Sequence, residues 1–265
     1  MKISLIQSDI HWADKQKNFL ETEQKLMALR GTTDLAVLPE MFSTAFCVER
    51  TELAETMNGE TVLLLKKWAN NFGLALTGSF FAKENNKCCN RAFFVTPDGD
   101  VQIADKRHTF SLAGENNFIQ QGNKKLIVNY LGINICVLVC YDIRFPVWAR
   151  NVANEYDLLI YVANFPDRRM NVWDTLLPAR AIENQALVCG VNRIGADING
   201  YTHSGHSALY DCNGKKIAVC PDNEAAIITV DLQLADLQKF REKFAFWKDA
   251  DKFELHALSP FTKGA

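Results

Sequence analysis

Residues 35–38, Leu35-Ala36-Val37-Leu38, are apolar at every position, and residues 133–139 and 157–163 are nearly so. Runs this short, without alternation, suit strands buried on both faces, which calls for helices over a sheet. Residues 2–7, 74–81, 91–96, 101–104, 126–130, 186–191, 204–210, 216–219 and 225–230 read as further strands. The spacing predicts helices over residues 14–30, 61–72, 145–154, 173–183 and 232–240, with Asp14 as an N-cap and Gly31 and Gly73 as stops. Pro97-Asp98-Gly99-Asp100 and Asp211-Cys212-Asn213-Gly214 are hairpin signals. Residues 105–125 are polar and irregular, and a connection of that length tends to be functional. The expected fold is α/β, with mixed sheets and helices outside, in a single domain over residues 1–265 with an aromatic, charged tail from about residue 244.

Composition narrows the partners. The 265 residues carry a formal net charge of -2 and are 48% hydrophobic. That gives a sizeable core and no basic run for nucleic acid. No stretch of about 18 apolar residues suggests a membrane span, and the first residues are too short a hydrophobic segment for a signal peptide. A cytoplasmic protein acting on a small molecule is expected. The eight cysteines include no CxxC pair and no zinc spacing, so reduced thiols and no metal are expected.

Three strand ends carry reactive polar groups: Glu40 after Leu38-Pro39, Cys140 after Val139, and Asn164 after Ala163. In α/β folds sites gather at carboxyl ends of strands. A free cysteine is usually a small hydrophobe, and Cys136 reads that way. Cys140 differs, because Tyr141 and Asp142 turn the chain polar at once. As a nucleophile it needs a base or a cation nearby. Two sets of partners are open. One is a histidine, His108 or His206. The other is Glu40, beside a buried strand where a carboxylate is partly desolvated, together with Lys106 in Asp105-Lys106-Arg107-His108.

Leu38-Pro39-Glu40-Met41-Phe42, Asp105-Lys106-Arg107-His108 and Cys140-Tyr141-Asp142-Ile143-Arg144-Phe145-Pro146 resemble, in order, the three signature segments of the nitrilase superfamily of carbon–nitrogen hydrolases. Ala179-Arg180-Ala181-Ile182-Glu183-Asn184-Gln185, Asn192-Arg193-Ile194-Gly195 and Gly205-His206-Ser207 extend the likeness to about residue 230. The resemblance implies a four-layer αββα sandwich and a Glu–Lys–Cys triad. Glu40 would be the general base, Lys106 the oxyanion partner and proton donor, and Cys140 the nucleophile. Glu115, in the long loop, would order Lys106, and the backbone N–H of Tyr141 would complete the oxyanion site. No cofactor is required, and a homodimer is the family's common state.

Tyr161-Val162-Ala163-Asn164-Phe165-Pro166, Arg169 ahead of Trp173, and residues 241–251 are most similar to the bacterial omega-amidases. That implies ω-amides of short 2-oxo dicarboxylic acids, 2-oxoglutaramate and 2-oxosuccinamate, with Asn164, Arg169 and Phe110 in the substrate pocket. Arg168 is the other candidate cation, Phe42 and Phe165 are further candidate walls, and Arg144 is expected to pair with an acid behind the nucleophile. The alternatives are a deaminated-glutathione amidase, a carbamoylase, a nitrilase, a Cys–His hydrolase, or a non-catalytic binding protein on the same fold.

Overall fold

In β1 (Lys2–Gln7) and β2 (Leu35–Val37), successive side chains enter different layers, as the two-residue period of a strand requires. Ile3, Leu5, Leu35 and Val37 join a core between two sheets, whereas Ile6, Ala36 and Leu38 join a core beneath helices. The computed structural model describes residues 1–256. One six-stranded sheet runs in the order β14 (Ala226–Asp231), β1, β2, β3 (Ala75–Glu84), β4 (Lys87–Val95), β5 (Val101–Asp105). The other runs β13 (Lys216–Val219), β12 (Ala208–Tyr210), β9 (Leu187–Asn192), β8 (Leu158–Ala163), β7 (Ile133–Val139), β6 (Leu126–Tyr130).

Both sheets are mixed. β1, β2 and β3 are parallel, as are β7, β8 and β9, and the outer pairings are antiparallel. Helices α1 (Lys15–Ala28) and α2 (Glu60–Phe72) cover the first sheet, burying Phe19, Leu26, Leu65 and Trp68. Phe19 and Trp68 meet edge to face with centroids 6.1 Å apart. Helix α3 (Pro146–Ala149) contributes Trp148 to the second sheet's core, and α4 (Met170–Asn184) contributes Trp173, Leu177 and Ala181. Helix α5 (Leu234–Lys243) follows β14 and tucks in Leu237. The result is the αββα sandwich. Asp14 caps α1 by accepting from the Lys17 N–H at 3.1 Å, and Gly73 closes α2 in the left-handed conformation.

Several element bounds differ from the sequence expectation, each for a local reason. β3 and β4 are longer, because Asn85 and Asn86 both take positive φ (49° and 61°) and make a two-residue hairpin turn between Glu84 and Lys87. The helix expected over 145–154 is one turn only. Asn151 ends it by using its amide on the N–H and carbonyl of Tyr156, in competition with the helical ladder. The strand expected over 204–210 is broken at Gly205 and His206, which take positive φ. Its first part pairs instead, as β11 (Thr202–Ser204), with β10 (Ile194–Ala196) in a small separate sheet. No helix among the described residues is long and apolar enough to cross a membrane.

Candidate active site

β7 delivers Cys140 to the edge of the second sheet. The chain then turns at once into a short 3-10 segment, Cys140–Arg144. Cys140 has φ +46°, a left-handed conformation that a non-glycine residue holds only when its surroundings impose it. Asp142 supplies that constraint. Its carboxylate accepts from the N–H groups of Val139 (3.2 Å) and His108 (3.0 Å) and lies 2.8 Å from His108 Nδ1. Arg180 donates twice to the carbonyl of Ile143, at 3.1 and 2.6 Å, from the far side of the turn.

Glu40 arrives at the carboxyl end of β2 and is fully buried. Lys106 arrives at the end of β5, and its Nζ donates to Glu40 Oε1 and to both oxygens of Glu115, each at 3.0 Å. Glu115 is held in the long loop, accepting from the Phe110 N–H at 2.5 Å. Gly122 fixes that loop to β5. Its N–H donates to the Lys106 carbonyl at 2.8 Å, and a Cβ there would lie 2.0 Å from the Asp105 carbonyl oxygen. Asn164, just past β8, donates its backbone N–H to Glu40 Oε2 (2.8 Å) and its side-chain amide to the Glu40 carbonyl (2.6 Å). Two sheets thus bring Glu40, Lys106, Glu115, Cys140 and Asn164 to one point.

Electrostatics at this point follow from burial. Desolvation pushes the Cys140 thiol well above its ordinary pKa and Glu40 adds to the rise, while Lys106 and the Asn164 N–H oppose it. Burial also disfavours the Lys106 ammonium, but Glu115, Glu40 and Cys140 more than offset this, so Lys106 titrates above the ordinary lysine range. Glu115 is raised, first by burial and then by Glu40, with Lys106 opposing.

A cavity of about 150 Å³ opens over these residues. Glu40, Lys106, Cys140 and Asn164 line it, with Phe46, Phe110, Tyr141, Phe165, Arg168 and Arg169 among its walls. The half-buried guanidinium of Arg169 stacks over Phe110 at 4.4 Å and approaches Phe165 at 5.6 Å. Burial lowers its pKa from the ordinary arginine value, and it makes no ion pair among the described residues. Arg168 lies over Tyr201 at 3.9 Å. Among the described residues no group of three or more His, Cys, Asp or Glu is placed to hold a metal ion.

A carbon–nitrogen hydrolase family model matches residues 2–242. The chain belongs to the carbon–nitrogen hydrolase family. It is 40% identical over 255 residues to the omega-amidase YafV of Escherichia coli, which covers 96% of this chain and 98% of that protein. It is 29% identical over 254 residues to the 2-oxoglutaramate amidase of Bacillus subtilis, 94% of this chain and 97% of that one. The crystal structure of a CN-hydrolase superfamily protein from Xanthomonas campestris, with an arsenic adduct in its active site, superposes with a TM-score of 0.94 at 36% identity, over 97% of this chain and 99% of the other. The chain is therefore an amide-hydrolysing enzyme of the nitrilase superfamily.

Within this carbon–nitrogen hydrolase, other sequence candidates fall elsewhere. His108 is engaged by Asp142 and stacks on Phe145 with centroids 3.6 Å apart, and His206 faces Asp174 at 3.0 Å. Neither lines the cavity. Phe42 packs in the helix-side core against Phe19 and Phe93. Arg144 does not pair with an acid behind Cys140. It is exposed and makes no ion pair among the described residues, because Asp142 is taken by His108. The sequence reading also missed Asn90, whose amide donates to Glu40 Oε1 at 2.8 Å. The expected strand began at Arg91, four residues after the start of β4 at Lys87 and so just past Asn90. Asn90, set inside a strand between Cys88-Cys89 and Arg91 with the apolar residues 92–95 beyond, was the available signal, since buried polar groups need partners. The turn from Asp197 to Tyr201, which overhangs the cavity, was missed too, although Asn199-Gly200 is a hairpin dipeptide.

Proposed function

We propose that this enzyme hydrolyses the ω-amide of short 2-oxo dicarboxylic acid monoamides, 2-oxoglutaramate and 2-oxosuccinamate, through a cysteine thioester. The observation that carries the reading is the pairing, over one small cavity, of Cys140 beside the Glu40–Lys106–Glu115 cluster with an Arg169 guanidinium that has no acidic partner among the described residues. The first does acyl chemistry. The second suits the carboxylate at the other end of the substrate, in a bidentate, charge-assisted contact. Phe110 and Phe165 hold the guanidinium plane and dry the space around it. The likeness to an omega-amidase and to a 2-oxoglutaramate amidase supports the same substrate class.

In this reading the Cys140 sulfur attacks the amide carbonyl as its proton passes to Glu40. Charge developing on the carbonyl oxygen meets the Lys106 ammonium and the Tyr141 N–H, which opens a 3-10 turn where leading N–H groups lack partners within the turn. Glu40 returns the proton to the departing nitrogen, ammonia leaves, and a thioester remains. Glu40 then takes a proton from water, whose oxygen displaces the sulfur, and passes that proton to the leaving Cys140 sulfur as the acid is released. The sequence resemblance gave Lys106 two roles, oxyanion partner and proton donor. A lysine held above its ordinary pKa by two carboxylates suits the first, and the proton traffic falls to Glu40. Asn164, engaged with Glu40 through its backbone and side-chain N–H groups, aligns the base, and its Oδ1, buried without a partner among the described residues, is left to accept from the substrate amide.

The test is ammonia release from a panel: 2-oxoglutaramate, 2-oxosuccinamate, glutamine, asparagine, a nitrile and an N-carbamoyl amino acid. The oxo-amides are expected to turn over best. Arg169→Ala should raise KM for them by about 10–100-fold, the value of one charge-assisted pair, and leave a neutral amide of the same length nearly unchanged. Preference for the nitrile or carbamoyl compound overturns the substrate assignment. The same reading takes the enzyme as a homodimer, supported by exposed Val147, Val152, Phe246 and Trp247 around α3 and the C-terminal segment. Sedimentation as a single chain at micromolar concentration contradicts that.

A further inference from the structure

Asn90 touches three parts of the site at once. Its backbone carbonyl accepts from the Lys106 N–H at 2.9 Å. Its side-chain Nδ2 lies 2.8 Å from Glu40 Oε1 and 3.5 Å from Glu115 Oε1. Its Oδ1 lies 2.9 Å from Ser79 Oγ, and Ser79 Oγ lies 2.9 Å from the backbone nitrogen of Met41. All of these groups are buried.

The direction of this chain is fixed by its first member. A backbone N–H can only donate, so the Ser79 oxygen accepts from Met41. The Ser79 hydroxyl proton is then free to go to Asn90, whose facing atom must be the amide oxygen. The NH2 of Asn90 is thereby turned toward the carboxylates and cannot flip without setting a donor against the Ser79 hydroxyl proton and the amide oxygen against Glu40. Met41 follows Glu40 directly, so the same backbone that carries the base also orients the amide facing it.

We propose that Asn90 is a positioning residue, oriented by Ser79, that keeps the Glu40–Glu115 carboxylate pair ionised around Lys106 so that Glu40 can take the proton of Cys140. The proposal rests on the reading of Glu40 as the base. The groups that face Asn90 or its carboxylate partners are Glu40, Glu115, Lys106 and Cys140, with Arg169 across the cavity. Two buried carboxylates share one ammonium here, and such a pair readily retains a proton. An amide N–H donated to the ionised form opposes that uptake. Burial and the Glu40 charge raise the Glu115 pKa while Lys106 opposes them, and the balance leaves it raised. With the donor gone, the pair takes up a proton at higher pH and the base is lost over that range.

The test compares wild type, Asn90→Ala and Ser79→Ala in amide turnover against pH, with thermal unfolding as a check on folding. Asn90→Ala is expected to lower kcat by about 10–100-fold with KM within about threefold, and to move the acid limb of kcat/KM upward by about one pH unit, the size of one hydrogen bond to a charged group. Ser79→Ala frees the amide to flip and is expected to give a smaller shift in the same direction. A folded Asn90→Ala whose acid limb stays at the wild-type pH overturns the proposal, as does a change confined to KM. If Asn90→Ala does not fold, an unmoved limb in Ser79→Ala overturns it instead. Glu40→Gln separates the two levels: full activity there sinks the reading of Glu40 as base, whereas an inactive Glu40→Gln beside an unmoved limb sinks only the role of Asn90.

Discussion

Cys140 is a poor thiolate at rest. Burial and the nearby Glu40 raise its pKa, and Lys106 only partly compensates. As the proposed nucleophile it would be activated at the moment of attack by proton transfer, unlike a cysteine held as a standing ion pair. The sign of its pH dependence follows. The thiolate fraction grows with pH until the raised pKa is passed, so below that point alkylation rises about tenfold per pH unit. Iodoacetamide labelling of Cys140 is therefore expected to climb steadily from pH 6 to 9. A plateau beginning near pH 6 would mean a preformed thiolate and refute this reading. The same residue shows what the sequence made legible. The polar turn after an apolar strand marked Cys140 by chemistry alone, but Glu40 with Lys106 and the histidines His108 and His206 stood as two open sets of partners until the family resemblance favoured the first. Asn90 escaped because the expected strand started at Arg91, whereas β4 starts at Lys87 and carries Asn90 into the buried interior.

At the scale of elements, the parallel strands were legible because both faces are buried and their composition is uniformly apolar. The segments misjudged were those where a side chain competes with the backbone or a neighbour decides the path: Asn151 ending the helix after Pro146, and Gln7 filling the space beside Gly205, where a Cβ would lie 2.1 Å from its Oε1. Such contacts are between residues far apart in sequence, so local periodicity carries no trace of them. Close packing between layers gives an element-level prediction. A Cβ on Gly190 in β9 would lie 2.6 Å from Leu177 Cδ1 and 2.7 Å from Trp173 Cζ2 of α4. Gly190→Ala is expected to destabilise the fold by about 1–3 kcal/mol, the usual cost of overpacking a core, seen as a lower midpoint in urea unfolding. An unchanged midpoint would show that α4 moves off the sheet freely.

At the scale of the molecule, the sandwich exists to bring two sheets' carboxyl ends together. The first sheet supplies Glu40 from β2, Lys106 from β5 and Asn90 from β4, and the second supplies Cys140 from β7 and Asn164 from β8. Neither sheet alone holds both the proposed base, Glu40, and the proposed nucleophile, Cys140. The measurement that bears most directly on the account is the mass of the enzyme quenched in acid during turnover of 2-oxoglutaramate, with the modified peptide located. The account predicts an adduct on Cys140 weighing the substrate less one ammonia, no adduct and no ammonia release in Cys140→Ala, and no such adduct from glutamine. Ammonia release from 2-oxoglutaramate that persists in Cys140→Ala, or an adduct carried on any other residue, contradicts it.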